Sequence, residues 1–382
     1  AEGDWVGISL SAAECPADGG GDDDTAAYTL SLPDFQRVPC SGGPMMPMAS
    51  VRNFCAALRA VRQTQPELIH ATFDSHAIVW VLVARLCAVP IVIAYHTDAM
   101  VFMERHGVPL ALRLPPFLAE GLVGLLCDTA FTVSRTYRRK VAESHALHRR
   151  CFHETCWGPM VNREVFSPAA VPEPERLALR SKLCFGRPDS FLLVYAGRVS
   201  AEKGLDFCVQ LLRESRYAHS VSLLARVEAV TNQVLGVLGG RRQRGVVLAI
   251  IGAGPQEDDF AALHGQPLTG GGSNRVYCVP KFVSQAEVAA AYCAADAYFS
   301  GSEFETLGFG AIEAMSCGAP ALCPAAQGFR DTVQHGVTGY LYTPRSVEHA
   351  DECLAKLRDG REIDAAAMLA AGESMTIAGC AA

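Results

Sequence analysis

Two carboxylates stand eight residues apart in the stretch SGSEFETLGFGAIEAMSCG, residues 300–318: Glu305 and Glu313. The apolar run DAYF before it predicts a strand, and Gly308 suggests that a helix begins near Leu307. Backbone N–H groups at a helix start attract an anion through unpaired donors and the helix dipole. A carboxylate beside a bound phosphate is repelled unless it accepts hydrogen bonds from hydroxyls. The pair therefore predicts a clamp for a sugar and a ribose on either side of a diphosphate, that is, a nucleotide sugar.

Two alternatives stay open for these glutamates. For Glu313 the alternative to ribose binding is an exposed helix glutamate, and the clamp interpretation is preferred. A glycoside hydrolase would instead use two carboxylates that flank one bond and exchange protons, and the hydroxyl-clamp interpretation is preferred over this one.

The loop YAGRVSAEKG, residues 195–204, carries two cations just after a predicted strand. Arg198 can bind a diphosphate with two parallel hydrogen bonds, and Lys203 can act as a point charge. An ordinary charged surface loop is the alternative. A third loop, IIGAGP at 250–255, places Gly252 where the backbone could approach a ligand, although a plain strand–helix turn explains the same glycines.

The elements that must position these loops alternate between strand-like and helix-like segments. Helices are predicted at 50–65 and 74–89, and a strand buried on both faces at 89–98. This rhythm predicts an α/β fold with parallel, doubly wound sheets. The proline-rich segment 157–190 indicates a linker, so two such domains facing a cleft are expected: residues 1–165 and 166–360, followed by a tail at 361–382.

Three segments interrupt the pattern. Residues 13–24 are rich in Gly and Asp and predict a mobile loop, and residues 214–245 are too long for a typical helix–strand loop. The apolar stretch 108–127 is interrupted by Arg113, two prolines and Glu120. It predicts either a core helix, which is favoured, or an amphipathic helix on a bilayer surface.

Composition excludes several classes of protein. The 382 residues carry a net charge of −7 and no basic stripe, which argues against a nucleic-acid binder. The 15 cysteines are dispersed, and the pair Cys151 and Cys156 does not have zinc-site spacing. They are interpreted as reduced thiols in a compartment that is not secretory, and no metal site is predicted. No signal peptide is recognised.

The motifs together resemble a known family. GRVSAEKG, GAGP and ETLGFGAIEAMSCGAP are similar to the retaining glycosyltransferases of family 4, which have the GT-B fold of two facing Rossmann-like domains. The two glutamates match the family's paired-glutamate signature. PELIHAT, VPIVIAYHTD and WGPMVNREVFSP resemble a narrower subgroup: sulfoquinovosyl diacylglycerol synthases and lipid-directed α-mannosyl- or glucosyltransferases. The similarity covers residues 33–345.

The resemblance implies a role for each matched position. Arg198 and Lys203 would hold the donor diphosphate in place of a metal, Glu313 would bind the ribose, and Glu305 the hydroxyls of the donor sugar. His96 would lie beside the transferred sugar; a buried core histidine is its alternative. The remaining donor-binding positions are Gly197, Gly252, Thr306, Leu307 and Gly308.

The implied activity is hexosyl transfer with retention at the anomeric carbon, without a cofactor or metal. The donor would be a UDP-sugar rather than a GDP-sugar, and the acceptor a glycerolipid such as diacylglycerol. The expected location is the cytoplasm or the plastid stroma, peripheral to a membrane. A GDP-mannose-dependent α-mannosyltransferase is one alternative.

A second alternative is a non-catalytic nucleotide-sugar-binding protein. It arises because the family's first strand and glycine-rich loop are not recognised before AEGDWVG, which predicts that the first domain is incomplete at its start. A nicotinamide-dependent oxidoreductase is disfavoured, since no GxGxxG turn is followed by an acidic strand end.

Overall fold

The computed structural model describes residues 49–73, 76–105, 108–144, 161–215, 245–269, 272–359 and 363–374, with the backbone of four short strands before them. The predicted mobile loop at 13–24 and residues 216–244 of the predicted insertion lie outside this part. The chain divides into two compact units, residues 1–157 and 158–382. The division falls a few residues before the boundary expected from the sequence.

The first unit is built around a parallel sheet of three strands in the order β5-β6-β7. Its four earlier strands form two separate pairs, β1 with β2 and β3 with β4. The strands of this unit are β1 (Val6–Ser9), β2 (Tyr28–Ser31), β3 (Arg37–Val38), β4 (Met46–Pro47), β5 (Ile69–Thr72), β6 (Ile91–Tyr95) and β7 (Thr129–Thr132). Its helices are α1 (Val51–Thr64), α2 (Ala77–Cys87), α3 (Ala99–Arg105), α4 (Leu110–Leu126) and α5 (Arg135–Ser144).

Local sequence signals explain where these elements begin and end. Helix α1 starts because the Ser50 hydroxyl accepts a hydrogen bond from the Asn53 N–H, and it stops at Gln65, which adopts a left-handed conformation before Pro66. Strand β6 is buried because parallel neighbours pair with it on both sides. The sequence placed both elements correctly.

The stretch at 108–127 differs from the expectation of a core helix. It forms α4, which runs through both prolines and buries Glu120 and Val123. Its opposite face carries exposed leucines at a spacing of about one helical turn. These leucines, called the leucine row below, are Leu110, Leu114, Leu118, Leu122 and Leu125. The prediction of burial therefore holds for one face of the helix only.

The second unit contains one six-stranded parallel sheet in the order β10-β9-β8-β11-β12-β13. Its strands are β8 (Phe191–Ala196), β9 (Val246–Ile251), β10 (Arg275–Val279), β11 (Ala297–Phe299), β12 (Ala321–Pro324) and β13 (Gly339–Tyr342). Its helices are α6 (Glu173–Leu183), α7 (Leu205–Glu214), α8 (Glu257–Ala261), α9 (Gln285–Ala294), α10 (Phe309–Ser316), α11 (Phe329–Thr332), α12 (Val347–Asp359) and α13 (Ala365–Ser374). The predicted α/β class with parallel sheets is confirmed.

Two segments of the second unit are more structured than the sequence suggested. The expected linker contains α6, which packs against α9 and is held by Arg180, whose guanidinium bonds Asp296 at 2.6 Å. The expected tail contains α13, which packs against α10. Arg163 donates a hydrogen bond of 3.1 Å to the Leu369 carbonyl and ties this helix to the start of the unit.

Candidate active site

The strand order of the second unit creates a switch point. The chain passes from β8 to β9 and β10 on one side, then returns to place β11 on the other side of β8. In open parallel sheets the loops after two such neighbouring strands diverge and leave a crevice for ligands. The predicted cation loop follows β8, and the stretch with both glutamates follows β11.

Lys203 and Glu305 meet at this switch point. The Lys203 Nζ lies 2.6 Å from Glu305 Oε1, although 102 residues separate them in the chain. Their side chains are 26% and 22% exposed, so the pair is only partly in contact with solvent. The sequence identified both residues and assigned them to different parts of one ligand. It did not predict that the two side chains form an ion pair with each other.

Glycines allow the loops at the switch point to touch through their backbones. A Cβ on Gly252 would lie 1.9 Å from the Gly197 carbonyl oxygen, and one on Gly301 would lie 2.1 Å from the Gly204 carbonyl oxygen. From the sequence, either the approach of a ligand or a plain strand–helix turn could explain Gly252. In the structure the space beside it is filled by the loop after β8, so packing alone is a sufficient reason for glycine there.

Hydrogen bonds fix the backbone of the loop that carries Arg198 and Lys203. The Gly197 N–H donates to the Ile251 carbonyl at 3.0 Å, and Tyr195 OH donates to the Arg198 carbonyl at 2.8 Å. The Ser302 hydroxyl donates to the Glu202 carbonyl at 3.1 Å, next to Lys203. The Arg198 side chain itself is exposed. The backbone of the loop is thus fixed, and the Arg198 side chain lies at the surface of the unit.

Helix α10 begins where the sequence predicted. Gly308 has φ +80°, and a Cβ there would lie 2.5 Å from the Phe329 ring, so both conformation and space require glycine. The preceding turn, Thr306 and Leu307, packs against Gly328, whose N–H donates to the Glu305 carbonyl at 2.8 Å. The first N–H groups of any helix lack intrahelical acceptors and can bind an anion.

Glu313 lies on α10 in a desolvated environment. Burial raises the pKa of its carboxyl to about 7, well above the ordinary value. The nearby Tyr292 hydroxyl is buried, and no hydrogen-bond partner for it is found among the described residues. The alternative of an exposed helix glutamate is therefore wrong, because the side chain is largely removed from water.

In the first unit, His96 follows the carboxyl end of β6 and is half-buried. Burial and the neighbouring His70 lower the pKa of its imidazole, which is therefore neutral at neutral pH. The sequence placed this residue correctly at a strand end. Its role beside a sugar stays a prediction.

A polar cluster beside His96 escaped sequence reasoning. Asp98 forms an ion pair with Lys140, and Tyr137 OH donates to the Thr97 carbonyl at 2.8 Å. Burial, together with the charge of Asp98, raises the pKa of the Glu120 carboxyl to about 7. The sequence treated Glu120 only as a break in an apolar stretch. Its inward-facing position among leucines was the available signal.

Residues 185–372 match the protein family described as Glycosyl transferases group 1. This part of the chain is a glycosyltransferase group 1 domain. The resemblance drawn from the motifs is thereby confirmed, and the switch point described above lies inside the matched region.

Curated relatives are similar over most of the chain. Sulfoquinovosyl transferase SQD2 of Arabidopsis thaliana is 25% identical over 303 residues, which cover 78% of this chain and 50% of that protein. A D-inositol 3-phosphate glycosyltransferase of Thermobispora bispora is 28% identical, over 83% of this chain and 69% of that protein. A GDP-mannose-dependent α-(1-6)-phosphatidylinositol monomannoside mannosyltransferase of Mycobacterium tuberculosis is 25% identical, over 71% and 70%. The chain thus spans half the length of SQD2.

Solved structures support the fold. Anabaena HepE in complex with UDP and glucose superposes with a TM-score of 0.65 at 15% identity, covering 93% of this chain and 84% of that one. Sucrose-phosphate synthase from Thermosynechococcus elongatus gives 0.61 at 17% identity, covering 98% and 85%. The neighbours have the GT-B fold expected from the motifs. None of the helices in the described part of the chain has the length and hydropathy of a membrane span.

Proposed function

We propose that the protein transfers a hexose from a nucleoside-diphosphate sugar to an acceptor hydroxyl. The observation that supports this most strongly is the meeting of Lys203 and Glu305 at the switch point of a glycosyltransferase group 1 domain. A cation for a diphosphate and a carboxylate for sugar hydroxyls are adjacent, at the start of a helix that can bind an anion.

In this proposal the second unit stabilises the leaving diphosphate. Arg198, Lys203 and the N–H groups at the start of α10 supply the positive charge, which acts without reorganisation as negative charge develops. No metal is required for this step. Glu313 binds the ribose, and Gly197, Gly252 and the turn at 306–308 line the donor.

Transfer occurs with retention at the anomeric carbon. The donor phosphate accepts the proton of the acceptor hydroxyl on the face from which it departs, and His96 contacts the transferred sugar. The second candidate, a protein that binds nucleotide sugars without transferring them, is separated from the first by the experiment below.

The experiment combines binding and turnover in the full chain. UDP-glucose, UDP-sulfoquinovose and GDP-mannose are screened for thermal stabilisation, and the nucleotide sugars that bind are then assayed for transfer. Lys203→Ala and Glu305→Ala each lower transfer at least about tenfold, since each loses a charge-assisted hydrogen bond of about 1.5–3 kcal/mol. Near wild-type transfer in both variants contradicts the proposal. Binding without any transfer establishes the second candidate.

The proposed donor is a UDP-sugar, in which the nucleoside is uridine. The support is the resemblance to sulfoquinovosyl diacylglycerol synthases and the UDP found with the HepE neighbour. GDP-mannose is the alternative donor, and the support for it is the mannosyltransferase relative, whose name includes GDP-mannose. Competition between UDP and GDP for the same site decides between them.

A glycerolipid, diacylglycerol in the first instance, is the proposed acceptor, reached at a membrane surface. The support is the leucine row of α4, an exposed apolar face on an otherwise partly buried helix. The mannosyltransferase relative, whose name includes phosphatidylinositol monomannoside, agrees with it. The similarity to sulfoquinovosyl transferase SQD2 and the resemblance of the motifs to sulfoquinovosyl diacylglycerol synthases agree as well. The proposed location is a membrane surface that faces the cytoplasm or the plastid stroma.

Liposome sedimentation tests the attachment. The double variant Leu114→Glu with Leu118→Glu lowers partitioning into anionic liposomes about tenfold or more, because two apolar side chains no longer leave water. Leu177→Glu is the matched control, since Leu177 is 53% exposed and Leu114 55%, but Leu177 lies on α6 of the second unit. Equal partitioning of the double variant and wild type overturns the proposed surface.

A further inference from the structure

Two thiols meet behind the helix that carries Glu313. Cys293 lies in the last turn of α9, and Cys317 follows the last residue of α10. The two helices pack together, and the Cys317 and Cys293 side chains are joined by a hydrogen bond. Neither cysteine belongs to the donor site described above.

The two thiols have different surroundings. Cys293 is half-buried, and its sulfur lies 3.5 Å from the Ser167 carbonyl. Cys317 is only 4% exposed. An external reagent therefore reaches Cys293 first, and the more deeply buried Cys317 lies next to Cys293.

Their reactivity follows the same division. The hydrogen bond from Cys317 and the charge of Arg176 lower the pKa of the Cys293 thiol despite its burial. The same hydrogen bond and desolvation raise the pKa of the Cys317 thiol. A thiolate is the attacking species in disulfide exchange, so Cys293 is the nucleophile of the pair.

We propose that Cys293 and Cys317 form a redox-active pair that closes to a disulfide by exchange with a small-molecule disulfide such as oxidised glutathione. The Cys293 thiolate attacks one sulfur of the reagent, which releases one thiol and leaves a mixed disulfide on Cys293. Cys317 loses its proton and attacks the Cys293 sulfur, which releases the second thiol. Two protein thiols are thus oxidised, and one disulfide is reduced to two thiols.

The disulfide would join the end of α9 to the end of α10. The Cys317 N–H donates to the Glu313 carbonyl at 3.1 Å, so the link anchors the helical turn that carries Glu313. This inference goes beyond the proposed transfer reaction. Its test depends only on the two cysteines, and the result is independent of whether the chain transfers a sugar.

Peptide mapping of the full chain tests the link. The protein is incubated with oxidised glutathione under native conditions, alkylated, and cleaved after glutamate and arginine. Cleavage after Glu287, Glu303, Glu313 and Arg330 separates the two cysteines into peptides 288–303 and 314–330. The expected product is these two peptides joined by a disulfide, which reduction separates.

Variants identify the sulfurs involved. Peptide 314–330 also contains Cys323, which is fully buried in β12. Cys323→Ala should retain the joined peptides, whereas Cys293→Ser and Cys317→Ser should each lose them. Cys317→Ser should also accumulate glutathione on Cys293, because the resolving thiol is absent.

A second measurement does not depend on peptide recovery. A disulfide that closes a loop between neighbouring helices restricts the unfolded chain, so oxidation should raise the Tm of the wild type by about 5 °C. Cys293→Ser should show no such rise. The proposal is overturned if glutathione stays on Cys293 of the wild type without transfer to Cys317, or if only other cysteine pairs become linked.

Discussion

The ion pair between Lys203 and Glu305 leads to a prediction with opposite signs for binding and catalysis. Glu305 forms an ion pair with Lys203, the cation that would bind the proposed diphosphate. Glu305→Gln removes the negative charge and keeps the size of the side chain. We expect this variant to bind UDP more tightly than wild type, while its hexosyl transfer falls at least about tenfold because the carboxylate no longer accepts the sugar hydroxyls.

The magnitude follows from the geometry of the pair. The two atoms lie 2.6 Å apart, and about a quarter of each side chain is exposed. A pair of this kind is worth about 1 kcal/mol, near the upper end for solvent-accessible ion pairs. Since about 1.4 kcal/mol corresponds to tenfold in affinity, releasing Lys203 should tighten UDP binding about fivefold. Added salt should reduce the difference because it screens partly exposed charges.

Isothermal titration calorimetry with UDP measures the effect. Glu303→Gln is the matched control, since Glu303 lies two residues away and pairs with Arg345 at 2.7 Å outside the proposed site. The control changes the net charge equally and should leave the Kd for UDP unchanged. The reasoning is refuted if Glu305→Gln binds UDP more weakly than wild type, or if both variants shift the Kd by the same factor.

Two further predictions concern the same unit. Burial raises the pKa of Glu313 from 4.5 to about 7, so this carboxyl ionises at a lower pH in the unfolded chain than in the folded one. The free energy of unfolding therefore has its full value below about pH 4.5 and falls by up to about 3 kcal/mol towards pH 7. Glu313→Gln should remove this loss in urea titrations at several pH values, and an unchanged pH slope would contradict the burial argument. Gly301→Ala should lower the free energy of unfolding by about 1–3 kcal/mol and weaken UDP binding, because the added Cβ would lie 2.1 Å from the Gly204 carbonyl oxygen. Gly336→Ala, which meets no atom within 4 Å, should keep wild-type UDP affinity, and equal UDP affinities in the two variants would argue against a role for loop packing in the site.

Several features could be predicted because they depend on neighbours in the chain. The buried strand at 91–95, the helix at 51–64 with its Ser50 cap, and the glycine start of α10 are all encoded within about a dozen residues. The alternation of such segments was sufficient for the α/β class. The motifs around Arg198 and Glu305 were sufficient to recognise the glycosyltransferase domain.

The leucine row shows where local pattern was insufficient. The apolar composition of this stretch favours a core helix. The spacing of apolar residues indicates that a helix face is apolar, but it does not indicate whether another element covers that face. Only the packed structure shows that Val123 faces inward and that Leu118 does not.

By itself, the sequence determined the order of the elements, the residues that we propose bind a nucleotide sugar, and the start of a helix near Gly308. The tertiary structure decided which of those residues meet. Lys203 and Glu305 are 102 positions apart, and they form an ion pair because the sheet returns β11 to the side of β8. It likewise decided that Glu313 is desolvated and that Cys293 touches Cys317, because contacts between distant segments depend on strand order and helix packing, which local sequence does not contain.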